Sequence, residues 1–152
     1  MKINLDYGNK KLGIDIPDKN LKYILETKPV KPLINPKEKI ADSLYDPIGS
    51  PPLKDLVKGG QDVCIVISDV TRAVPTKLIL EVLLSELAEY GIGSQNITIL
   101  IATGLHRPNE GKELEGLVGK EIKENYRIVN QGKLQVLQEK FGFMRGLIWN
   151  RN

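Results

Sequence analysis

Two apolar runs divide the middle of the chain. Val63-Cys64-Ile65-Val66-Ile67 and Ile97-Thr98-Ile99-Leu100-Ile101-Ala102 are short, rich in β-branched residues and end abruptly at polar clusters. That is the pattern of strands buried on both faces of a parallel sheet. Between them, after Pro75, the residues Leu78, Ile79, Val82, Leu83, Leu87 and Tyr90 recur at helical spacing, with Gly91 as a stop, which predicts a helix packed on the sheet. Pro108–Val118 carries a second helical stripe in Leu114, Leu117 and Val118, and Tyr126–Val129 reads as a third strand. Strand, helix, strand, helix, strand is a βαβαβ unit with right-handed crossovers. The expected fold class is therefore α/β, with a Rossmann-like parallel sheet.

The flanks have a different rhythm. Residues 2–7 and 11–16 alternate with period two around Gly8-Asn9, which predicts an N-terminal β-hairpin. A short helix is expected near Leu21–Leu25, then an extended strap through Lys28-Pro29-Val30-Lys31-Pro32, because prolines and their predecessors resist the α region. Asn35 followed by Pro36 predicts an N-cap and first helical residue, with Ile40, Ala41 and Leu44 inward. Ser50 is positioned to cap a short helix that turns Leu53, Leu56 and Val57 inward before Gly59-Gly60. At the end, Phe141, Phe143, Met144, Leu147, Ile148 and Trp149 crowd the tail. This predicts either an added strand or an apolar face that drives self-association.

Composition fixes scale and excludes some partners. With 152 residues, 41% hydrophobic and 27% charged, one real core is affordable and two sizeable domains are not. The expected organisation is a single domain over 1–152: hairpin and strap over 1–60, the βαβαβ core over 61–130, and an extension over 131–152. The formal charge is +3, yet residues 61–130 carry 7 basic against 10 acidic side chains. No basic run tracks a phosphate backbone, so nucleic acid is not an expected partner. No apolar run approaches the roughly 20 residues of a membrane span, and Met1-Lys2 leads straight into alternating sequence, so a cytoplasmic location without a membrane is expected. Cys64 is the lone cysteine and is read as a buried core residue. One His and one Cys cannot supply the three or four N or S donors of a zinc or nickel site, so no metal site is expected from this chain alone.

The chemistry is concentrated where the apolar runs stop, at Ser68-Asp69-Val70-Thr71-Arg72 and Thr103-Gly104-Leu105-His106-Arg107. Parallel strands place both clusters at the same edge of the sheet, where ligands bind in open α/β folds. Asp69 and Arg72 could pair with each other or cap the next helix. Alternatively, Arg72 offers a planar fork to a carboxylate or phosphate while Asp69 orients a neighbour. His106 suits proton transfer near neutrality and is a candidate general base or acid. Gly104 permits close approach of a ligand to the backbone.

The strings Asp46-Pro47-Ile48-Gly49-Ser50, Ser68-Asp69-Val70-Thr71-Arg72-Ala73-Val74-Pro75 and Ala102-Thr103-Gly104-Leu105-His106-Arg107-Pro108 resemble the N-terminal domain of the nickel-dependent lactate racemase family. The likeness runs from the hairpin to about Val129, and Gly146-Leu147-Ile148-Trp149-Asn150-Arg151 is similar in outline to the segment closing that region. The resemblance implies a two-domain enzyme with its site in the cleft and a nickel pincer nucleotide as cofactor. Substrate hydride passes to the pincer ring while a histidine takes the hydroxyl proton. It implies His106 as one of two catalytic histidines, Asp69 as a polar partner in the catalytic site, Arg72 as the binder of the substrate carboxylate and Thr71 as a further ligand contact, with Thr103 and Gly104 as cofactor contacts. The pincer-bearing lysine, the nickel-ligating histidine and the second catalytic histidine lie, in the family, beyond Asn152. Where members often read Asn-His-Asp after the third strand, this chain reads Asn130-Gln131-Gly132. The expectation is an N-terminal half-site for a small 2-hydroxy acid such as lactate, inactive and without the cofactor when alone, completed by a C-terminal domain in cis or in trans. The alternatives are a non-catalytic module that binds a small carboxylate or nucleotide, and a subunit completed by a separate chain.

Overall fold

The computed structural model describes residues 1–131, and the apolar tail expected to add a strand or drive self-association lies outside them. The chain divides into two compact units, Met1–Pro32 and Leu33–Asn152. In the first, β1 (Lys2–Tyr7) and β2 (Lys10–Asp15) form the antiparallel hairpin, with Leu5 opposite Leu12 and Ile3 opposite Ile14. Gly8 makes the turn possible because its φ of 57° is open to glycine without steric cost. The Met1 ammonium donates to the Ile16 carbonyl at 2.7 Å and pairs with Asp18 at 2.8 Å, tying the start of the hairpin to its end. The helix expected near Leu21–Leu25 is not present. A single 3-10 turn covers Asp18–Asn20, and the residues from 21 to 32 have no regular element. Tyr23, Ile24 and Leu25 are exposed, so no burial offsets the cost of nucleating a helix there.

The second unit begins with α1 (Pro36–Tyr45). Pro36 opens it as expected, but Asn35 is not a side-chain cap: it sits in the left-handed region at φ 56°, and its amide donates to Glu38 at 3.2 Å. α2 (Leu53–Leu56) follows Pro52 rather than a Ser50 cap. Its Leu53, with Val57 beyond it, packs on the core, while Leu56 is exposed.

Then comes the βαβαβ unit. β3 (Val63–Ser68), β4 (Ile97–Ala102) and β5 (Arg127–Asn130) form a parallel sheet in the order β3-β4-β5. Residues 63–68 run in register with 97–102. α3 (Thr76–Glu89) lays Leu80, Leu84 and Leu87 on Ile97 and Ile99, with Ile65 and Ile67 packed beside them. β4 is buried from Ile97 to Ile101 on both faces, as its apolar run requires. β3 corrects an expectation. Among the described residues it is an outer strand, so only Val63, Ile65 and Ile67 face the helices, and Cys64 is exposed rather than buried, as is Val66 at 54%.

The second crossover is broken into two helices. α4 (Gly111–Val118) starts three residues later than the expected Pro108, because the backbone of Asn109 is bonded elsewhere. Gly119, at φ 90°, ends it and leads into α5 (Lys120–Asn125), which the sequence pattern did not announce. Ile122 of α5 and Val118 of α4 close the core beneath the sheet.

Candidate active site

Both polar clusters fall at the carboxyl edge of adjacent strands. Asp69 is the first residue after β3 and is only 3% exposed. Its Oδ1 accepts hydrogen bonds from the Thr71 amide at 3.1 Å and the Thr71 hydroxyl at 2.6 Å. Its own carbonyl accepts the Arg72 amide at 3.2 Å. This is the local turn that aspartate favours, because its side chain can bond its own backbone two residues on. The other oxygen, Oδ2, reaches across the edge to His106 Nδ1 at 2.5 Å.

His106 is held by its own loop. Thr103, which is buried, lends its carbonyl to the His106 amide at 2.9 Å, and Gly104 turns the chain between them at φ 57°. The Asp69 carboxyl titrates near about 2, held down first by the Thr71 hydroxyl and then by His106, against burial, which pushes the other way. Being ionised at neutral pH, Asp69 can only accept. Nδ1 of His106 is therefore the protonated nitrogen, and Nε2 is left with the free lone pair. The ring is half-exposed, 51%, so that lone pair is accessible to a ligand.

Protonation of Asp69 carries a consequence for stability. Its folded-state value lies below the ordinary value of about 3.9, so the unfolded chain binds the proton first as pH falls. The stability it contributes is fully present above about pH 4 and is lost as pH drops towards 2. Acid unfolding followed by circular dichroism is expected to become shallower between those values in Asp69→Asn. An unchanged acid limb would contradict the Thr71 and His106 bonds as the cause.

Arg72 resolves one alternative. Asp69 is occupied by Thr71 and His106, and the Arg72 guanidinium has no hydrogen bond or ion pair among the described residues. Arg107 contrasts with it, forking both nitrogens onto Glu113 at 2.8 and 2.7 Å. The free fork of Arg72 lines a concavity of about 650 Å³ with Val70, Thr76, Lys77, Glu113 and Leu117. Thr71 and His106 meet at Asp69. Arg72 shares that turn through its backbone, while its side chain lines the neighbouring concavity, of which His106 is not a wall. The Gly104 amide is already engaged by Gln131 Oε1 at 2.9 Å, so a ligand approaching there must replace that bond.

Two residues at this edge escaped the sequence reading. Asn109 and Asn130 are both buried. The Asn109 amide donates to Asn130 Oδ1 at 2.9 Å, and Asn130 Nδ2 returns a bond to the Asn109 carbonyl at 3.3 Å. The Asn109 side chain then accepts the Val70 amide at 3.3 Å and donates to Glu113 at 3.0 Å. The available signal was positional: Asn130 ends the third apolar run at the same edge as Asp69. Among the described residues no group of three or more His, Cys, Asp or Glu side chains is placed to hold a metal ion.

Residues 7–137 match the model of the lactate racemase N-terminal domain. The lactate racemase of Thermoanaerobacterium thermosaccharolyticum is 36% identical over 129 residues, 84% of this chain and 30% of that protein. The lactate racemase of Lactiplantibacillus plantarum is 34% identical over 129 residues, with the same coverage of 84% and 30%. The solved structure of the lactate racemase apoprotein from T. thermosaccharolyticum superposes with a TM-score of 0.68 at 32% identity, covering 86% of this chain and 30% of that one. The chain thus spans about 30% of the length of these relatives. It belongs to the lactate racemase N-terminal domain family.

Proposed function

We propose that this chain provides the acid/base and carboxylate-binding part of a 2-hydroxy acid racemase, with lactate as the type of substrate. The observation that carries the reading is the Asp69–His106 pair. A buried carboxylate on Nδ1 holds the imidazole in one tautomer and one orientation, presenting Nε2 outward as a base. Removing a hydroxyl proton places positive charge on the ring, and Asp69 stabilises it as it forms. Arg72, free of hydrogen-bond and ion-pair partners among the described residues, pairs with the substrate carboxylate by a two-pronged bond. Thr71 keeps Asp69 ionised and in place, and Thr103 and Gly104 set the loop that carries His106 along the ligand-facing edge.

The family's nickel pincer nucleotide is not fitted by the residues of this chain alone. The one imidazole is committed through Nδ1 to Asp69, and no cluster of donors stands near it among the described residues. In this reading the remaining donors, and the second proton carrier that racemisation needs on the opposite face, come from the part of the relatives that this chain does not span, in cis or in trans. The location follows the same reasoning. Among the described residues no helix is long and apolar enough to cross a membrane, and a cytoplasmic setting remains part of the proposal.

The test is a graft in which residues 1–152 replace the matching segment of the T. thermosaccharolyticum lactate racemase. Racemisation of L-lactate by the graft supports the reading. A folded graft that forms no D-lactate when the unaltered relative does would sink it. Within an active graft, Arg72→Ala is expected to raise KM for lactate by about tenfold or more with a smaller effect on kcat, because a ground-state carboxylate contact is lost. Arg72→Lys should recover only part of it, since an ammonium cannot reproduce the planar fork.

A further inference from the structure

The strongest unexplained feature at the sheet edge is the pair of buried asparagines. Asn109 lies in the loop after β4 and Asn130 ends β5, yet the two side chains and the Asn109 backbone form a set of four bonds in which every side-chain amide oxygen and nitrogen has a partner. Such sets are costly to build half-satisfied and rigid when complete. Their ends are informative. One bond lands on the amide of Val70, the residue after Asp69. Another runs to Glu113, which in turn forks onto Arg107, the residue after His106. The set therefore grips the residue that follows each member of the Asp69–His106 pair and ties both to the end of β5.

We infer that Asn109 and Asn130 are positioning residues for the acid/base pair, fixing the spacing of the β3 and β4 loops so that Asp69 Oδ2 meets His106 Nδ1. This rests on the reading of His106 as the acid/base group. The chemistry explains the choice of residue. A primary amide accepts the Val70 amide on one atom and donates to the Glu113 carboxylate on the other without carrying charge. An aspartate at 109 would face Glu113 with like charge, and an alanine would leave the part-buried Val70 amide without its protein acceptor, a loss that frees the loop to shift. Neither asparagine reaches the reacting group, so the effect passes through the His106 ring.

The chain's single histidine makes the inference directly readable. In the full chain labelled with 15N-histidine, the one imidazole reports its tautomer and the exchange of its Nδ1 proton. The unaltered chain is expected to show Nδ1–H as the dominant neutral tautomer. Asn109→Ala, still folded by circular dichroism, should lose that dominance and exchange the Nδ1 proton at least tenfold faster. The double variant N109D/E113Q reverses donor and acceptor along the same bond and keeps the Val70 acceptor but gives up one prong of the Arg107 fork, so it should restore the tautomer in part, above Asn109→Ala. A simple loss of packing would lower the melting temperature of Asn109→Ala without moving the imidazole signals. A folded Asn109→Ala with unchanged tautomer and exchange would overturn the inference. Should that variant not fold, amide exchange in the unaltered chain decides: Val70 and Asn109 protected as well as the β4 amides support the clasp, and free exchange at either overturns it. None of these readouts needs substrate or cofactor. A graft whose racemisation ignores His106 would therefore defeat the functional reading while leaving the clasp to stand or fall by its own measurement.

Discussion

His106→Gln in an active graft is expected to lower kcat for lactate racemisation by about 10²–10⁴-fold, the usual worth of a positioned acid/base group. Glutamine keeps a polar side chain of similar reach but cannot alternate between proton donor and acceptor near neutrality. The loss should fall mainly on kcat rather than KM, because the proton moves in the transition state while the carboxylate contact of Arg72 persists. Asp69→Asn should reproduce much of the loss by another route. An amide can donate to the ring as well as accept from it, so the tautomer is no longer fixed by the buried carboxylate seen at 2.5 Å. The pH profile separates the two, since only Asp69→Asn leaves an imidazole to titrate. A graft whose kcat is insensitive to both changes would show that the Asp69–His106 pair serves the fold alone.

Leu87→Ala is expected to cost about 2–5 kcal/mol of stability, the range for emptying a leucine site that cannot collapse. Leu87 is 1% exposed and lies in the cluster of Leu80, Leu84, Ile92, Ile97 and Ile99 that joins α3 to the sheet. Against a total of about 5–15 kcal/mol for a domain of this kind, that is a large fraction, and it should appear as a lower urea midpoint with little change in slope. The same substitution at Leu25, 93% exposed, should stay within about 0.5 kcal/mol. Equal losses at the two positions would mean that the core does not sit between α3 and β4.

What the sequence made legible follows from the range of the interactions. Alternation around Gly8-Asn9, the β-branched runs at 63–67 and 97–101, and the stripe ending at Tyr90 are local patterns, and each became the element it predicted. Asp69 and His106 were placed at one edge by topology alone, since 37 positions separate them. Their direct bond, and with it the release of Arg72, depended on an aspartate turn that a list of residue types could not choose over an Asp69–Arg72 pair. The Asn109–Asn130 set spans 21 positions and leaves no periodic trace. α5 was missed because Ile122 is the only apolar residue among Lys120–Asn125. Cys64 was misplaced because an apolar run does not reveal whether its strand is central or outermost. Asn35 holds the N-cap position without a side-chain cap bond, and Ser50 was misread as a cap where Pro52 stands, because composition identifies a capable side chain but not its backbone angle.

The outer position of β3 also bears on how the chain behaves in concentrated solution. Among the described residues Val63–Ser68 pairs on one side only, with β4. Six positions of strand-forming sequence without a charge or a proline then present unpaired backbone along one border, with Val66 and Cys64 bare on the adjoining face. Natural sheets blunt such borders with lysine, proline or a bulge, since otherwise another chain can add itself edge to edge. The segment that packs Val63, Ile65 and Ile67 against the core is therefore also the segment through which copies could aggregate. Position 66 is where a lysine would oppose that growth without entering the packing beneath α3.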